Sequence, residues 1–267
     1  MGSIFVLLIH QKFKFMNKLF IIFISVIALS SCQKDTELIP TSSKTKSLAK
    51  FTYVWNNETP EIEDFTYDAQ GRVSIIKDNE QTSTFNYVSA SSLVVTAKNN
   101  IDNSPYRIFT CTLNSKGYIS KLIMTKPDGT LNYTYNYTYN SDDYITKTEG
   151  IPATGIGFTA EYVIQNGNVV SSKNFNGDAL SYTGQYTYDN SLENKTGFGH
   201  TGYWYSNKLF GKGLKNMLVD YKSFSPNNTL TWHTQYKHDL DADGYPFTTT
   251  TVNVLQNKQG IETYVYK

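Results

Sequence analysis

The chain has 267 residues and carries 24 basic against 23 acidic side chains with no basic run, which leaves no electrostatic footprint for nucleic acid. Tyr 21 and Phe 15, with few helix formers in the second half, weight the composition toward β structure.

Met16 reads as the natural start, which makes residues 1–15 an upstream mis-start. Residues 16–31 follow the plan of an export signal, with Lys18 ahead of an apolar core from Leu19 to Leu29. That core is shorter than the roughly 20 apolar residues that cross a hydrocarbon layer. Leu29-Ser30-Ser31-Cys32 comes next and resembles the lipobox of bacterial lipoproteins. The resemblance implies cleavage before Cys32 and acylation of its sulfur, so a membrane is an expected partner through that anchor. Gln33-Lys34-Asp35-Thr36-Glu37 resembles the export signal of surface lipoproteins in Bacteroides-like Gram-negative bacteria. It implies the outer membrane with the protein facing outside; the periplasmic face is the alternative.

Three lysines and no acid precede Cys32, so the mature chain carries 21 basic residues (24 less three) against 23 acidic, or about −2. With Cys32 lipidated, Cys111 is left alone and no internal disulfide can form. Within Phe109-Thr-Cys-Thr-Leu113 it reads as a buried small hydrophobe.

Residues 32–50 are polar and lack alternation, and read as a flexible tether. Residues 51–267 read as a single β domain in which a hairpin recurs about every twenty residues. Its copies begin at Phe65, Phe85, Phe109, Tyr137, Tyr162, Tyr186 and Tyr236, and Asx or Gly residues at their turns suit tight reversals. Tyr133-Thr-Tyr-Asn-Tyr-Thr-Tyr139 puts every ring on one face of its strand. The expected fold is all-β: an antiparallel meander of repeated hairpins, curled or barrel-like so as to hide that face. One segment differs. In SNKLFGKGLKNMLVDY (206–221) the apolar residues recur at helical spacing, which predicts a short helix near 212–221 capping the sheet.

The lipobox, the tether, the Tyr-x-Tyr-Asx hairpins and the Leu209-Phe-Gly-Lys-Gly-Leu-Lys-Asn216 insertion are together similar to a family of lipoproteins from Bacteroides-like bacteria. That resemblance implies a porin-like sheet. The family has no established activity, so no catalytic residue follows from it. A lipid-facing barrel would bury the Thr and Asn faces at high cost, which argues against a true transmembrane porin.

Among candidate sites, Asp239, Asp241 and Asp243 match the start of a calcium loop. The bidentate Glu such a loop needs is replaced by Thr250, and related turns use Asx and Gly without a metal, so turn chemistry is the favoured reading. His233 and His238 should face opposite sides of one strand, and His200 lies in a Gly-rich stretch. No nucleophile elbow, metalloprotease or phosphate-loop motif occurs, so neither an enzyme nor a cofactor is expected. The remaining candidates are aromatic: Trp55, Tyr203, Trp204, Tyr205, Trp232 and Tyr236, whose flat bodies and polar tips suit glycan or protein recognition. The leading expectation is a non-enzymatic surface lipoprotein that binds such a ligand. The alternatives are an assembly subunit of an outer-membrane complex, joined through exposed edge strands, and a hydrolase with an unrecognised carboxylate pair.

Overall fold

Alternation of rings with Thr or Asn obliges each segment to become a strand with one apolar face. In the computed structural model, which describes residues 46–196 and 209–267, these strands close on themselves. The first eight are β1 (Leu48–Trp55), β2 (Glu61–Tyr67), β3 (Val73–Lys77), β4 (Gln81–Ser89), β5 (Ser92–Asn99), β6 (Pro105–Leu113), β7 (Ile119–Thr125) and β8 (Leu131–Tyr139). The second eight are β9 (Ile145–Pro152), β10 (Phe158–Gln165), β11 (Asn168–Asn176), β12 (Ala179–Glu193), β13 (Asn216–Phe224), β14 (Leu230–Leu240), β15 (Pro246–Asn253) and β16 (Lys258–Tyr266). Each pairs antiparallel with its sequence neighbours, and β1 pairs with β16, so the meander is a closed barrel.

The two rims differ. The lower rim carries short turns only, at 56–60, 78–80, 100–104, 126–130, 153–157, 177–178, 225–229 and 254–257. The upper rim holds the hairpin motif. There Asp68, Asn114, Asn140 and Asp241 each accept the backbone N–H groups two and four residues ahead through one side-chain oxygen. These are Asx turns, and Gly71, Gly117 and Gly244 supply the left-handed residue that closes three of them. The tyrosines near the strand ends serve the same rim. Tyr67, Tyr87, Tyr139 and Tyr266 donate their hydroxyls to the carbonyls of Leu48, Val73, Ile119 and Pro246, each at the start of the preceding strand. A buried carbonyl at a rim needs such a partner, which explains why Tyr recurs just ahead of the turns.

The predicted helix near 212–221 is not formed, and no helix occurs among the described residues. Residues 209–215 instead cross the upper rim as an irregular cap. Leu209 and Phe210 are buried there, with the Phe210 ring edge-on to Tyr137 at 4.9 Å between centroids. Gly211 adopts a left-handed φ of 83°, and a Cβ there would lie 2.2 Å from the Asp143 carbonyl oxygen. A helix tolerates neither feature. From Asn216 onward, β12 and β14 leave a gap between them that one more strand fills, and ladder pairing on both sides outweighs a helical apolar stripe. The hairpin expected after Tyr186 is also absent: β12 runs on to Glu193 through a bulge. Residues 46–50, read as the end of the tether, belong to the barrel. Leu48 is buried in β1, and the Lys46 ammonium bridges Asp241 and Asp243.

Candidate binding site on the inner wall of the barrel

Along β1 to β9 the inward residues form a dry core that includes Phe51, Phe65, Leu93, Phe109, Leu122 and Tyr135, all buried. A round barrel of this strand number would enclose water; on this side apolar side chains fill the space. The outward positions of the same strands carry Thr, Asn, Lys and Glu, as in Thr134, Asn136, Lys147 and Glu149.

The opposite wall is built differently. On β10 to β16 and the lower end of β1, the inward side chains are Tyr and Trp separated by Ser, Thr and Gly. One cross-strand row reads Trp232, Ser223, Gly184, Ser172, Tyr162. A second reads Trp55, Gly260, Thr251, Tyr236, and a third Tyr53, Glu262, Thr249, His238. The glycines let rings lie against the wall. A Cβ on Gly260 would come within 2.5 Å of Trp55 Cε3, and one on Gly184 within 2.6 Å of Ser172 Oγ and 3.1 Å of Tyr221 Cε2. Tyr53, Trp55, Tyr182, Tyr186, Tyr221, Trp232 and Tyr236 all point inward, yet each keeps contact with solvent. The inner face is therefore wet on this wall and dry on the other.

The third row holds an acid. Glu262 is 2% exposed; the Tyr264 hydroxyl donates to its Oε2 at 2.5 Å. Burial pushes its carboxyl up to about 8. At the end of that row, His238 Nε2 stands 2.7 Å from the Leu218 carbonyl, so that nitrogen carries the proton and Nδ1 accepts from Thr249 Oγ1 at 2.9 Å. Burial lowers the pKa of this imidazole.

Of the residues singled out from sequence, Trp55, Trp232 and Tyr236 meet on the wet wall, where Trp232 Nε1 donates to Thr234 Oγ1 at 2.6 Å. Cys32, His200, Tyr203, Trp204 and Tyr205 lie outside the described residues. Asp239 faces outward, 3.5 Å from Lys237, while Asp241 and Asp243 share the Lys46 ammonium at 2.6 Å each. Their carboxylates complete a turn and an ion pair. His233 faces outward with Nε2 2.6 Å from Asp220 Oδ2, opposite in sense to His238 as alternation requires. Cys111 is buried in the core, which pushes its thiol up to about 12. Glu262 was missed. Its signal was positional, because in Gly260-Ile-Glu-Thr-Tyr264 alternation puts the acid on the face of the buried Tyr264.

No protein-family model matches the chain, and no curated protein matches it. Solved structures do. A porin-like protein from Bacteroides uniformis ATCC 8492 superposes with a TM-score of 0.65 at 16% identity, covering 82% of this chain and 96% of that one. The chain has a porin-like fold. A second porin-like protein, from Bacteroides vulgatus ATCC 8482, gives a TM-score of 0.59 at 13% identity over 82% of this chain and 98% of that one. At these identities what the porin-like proteins share with this chain is the barrel.

Proposed function

We propose that this porin-like chain is a non-enzymatic lipoprotein of the outer membrane, anchored through Cys32, that binds a glycan against its inner wall. The observation that carries the reading is the set of inward Tyr and Trp side chains that stay in contact with solvent beside a lower rim of short turns. Sugar rings stack on such surfaces while hydroxyls reach the polar tips. A barrel embedded in lipid presents an apolar outer band, whereas here Lys147, Glu149, Glu161, Lys173 and Lys222 stand on outward strand positions. That surface suits water, with the lipid on Cys32 as the membrane contact. Assembly by strand addition finds no free strand among the described residues, since β1 and β16 are paired to each other.

The test is a glycan array probed with the purified full-length chain and with the Trp55→Ala and Trp232→Ala variants. Binding that both substitutions weaken supports the reading. Binding indifferent to both, or none at all, removes it. Protease digestion of the tagged protein on intact cells, against a periplasmic control, reports the leaflet.

A further inference from the structure

Resting on that reading, we propose that the ligand is cationic: Glu262, with Tyr53, Trp55 and Tyr236 around it, forms a recognition site for a primary ammonium group such as an amino sugar carries. A buried carboxyl is normally found opposite a basic side chain. Glu262 has the Tyr264 hydroxyl, and no basic group of the described residues is paired with it. A carboxylate formed there would keep the Tyr264 hydroxyl as donor and would have no positive charge among the described residues to pair with.

The surroundings favour that charge. Tyr53 stands directly across from Glu262 in the strand register, and both Tyr53 and Tyr236 feel the acid electrostatically. The Tyr53 and Trp55 rings lie 6.3 Å apart, and the faces of such rings attract ammonium groups. The other titratable groups turned toward this space are Glu63 from β2, His238 from β14 and Tyr264 from β16, with Lys258 on the same alternation at the lower end of β16. The inward cation of the dry wall, Arg107, is engaged on β6 with the Tyr106 hydroxyl and the Met124 sulfur. Glu58 and Glu61, at the β1–β2 turn on the lower rim, are felt by Tyr53. On binding, the Glu262 carboxylic acid gives its proton to buffer, the carboxylate pairs with the ammonium, and no other bond changes.

The experiment is isothermal titration of the purified full-length chain at pH 7 in two buffers of different ionisation enthalpy. The probes are glucosamine trisaccharide and its fully N-acetylated counterpart, with n-hexylammonium and n-hexanol as a sugar-free pair. The charged member of each pair should bind at least about tenfold tighter, with about one proton released per site. Glu262→Gln should abolish the preference and the proton release, with an unaltered near-UV spectrum showing that the barrel is intact. Equal affinity for both trisaccharides would overturn the cation site and leave the glycan reading standing. So would a charge preference that survives Glu262→Gln. Failure of both charged probes to bind also overturns the cation site, and the array with Trp55→Ala then decides the glycan reading separately.

Discussion

Replacing Glu262 with glutamine should remove a pH dependence from folding. In the folded barrel burial raises the carboxyl from its ordinary 4.5 to about 8, whereas the unfolded chain titrates it near the ordinary value. Between those two pH values the folded state holds a proton that the unfolded state has released, so stability falls as pH rises. The slope is about 1.4 kcal/mol per pH unit, and roughly 5 kcal/mol is lost over the whole window. His238 acts in the opposite sense. Burial lowers its pKa from 6.5, so its contribution is present above 6.5 and lost as pH falls below it. Because Glu262→Gln leaves His238 in place, the difference between wild type and variant isolates the acid. The glutamine carbonyl can still accept from Tyr264. Urea unfolding midpoints measured from pH 5 to 8.5 should therefore decline in the wild type relative to the variant. Parallel curves would show that Glu262 titrates normally in the folded barrel and would refute the argument.

Other substitutions probe the frame. Phe210→Ala opens the cap over Tyr137 and should cost about 3–4 kcal/mol in denaturant unfolding, as for other buried rings. Gly150→Ala places a Cβ 2.1 Å from Phe158 Cε1 and should cost about 1–3 kcal/mol. A double-mutant cycle with Phe158→Leu should recover most of that loss. Tyr139→Phe removes the hydroxyl that satisfies the Ile119 carbonyl and should lower stability by about 1–2 kcal/mol with the fold unchanged by circular dichroism. Cys111, buried and with its thiol pushed up to about 12, should react with a thiol reagent only at the rate at which the barrel unfolds.

The limits of sequence reasoning show best in residues 206–221. Their apolar spacing fits a helix, and a helix would have been satisfactory for the segment taken alone. What a local pattern cannot contain is the Asp143 carbonyl pressed against Gly211, or the gap between β12 and β14 that Asn216–Phe224 fills. The same applies to Tyr186 to Leu192, which has the composition of a turn but continues as strand to Glu193 because β13 pairs along it.

By itself the sequence determined most of the strands, with β13 and the end of β12 excepted, their two-faced character, the meander and the Asx turns. All of these follow from local alternation and from side chains bonding to backbone groups two to four residues away. It also put Trp55, Trp232 and Tyr236 forward, among six aromatic candidates of which Tyr203, Trp204 and Tyr205 lie outside the described residues, since Tyr and Trp carry the same chemistry wherever they fall. Only the tertiary structure decided that β1 meets β16, that one inner wall is dry and the other wet, and that the insertion caps the upper rim. It alone brought Glu262 between Tyr53 and Thr249 with no basic partner among the described residues. The physical reason is that burial and electrostatic environment are properties of the closed barrel, fixed by residues far away in the chain that no local window contains.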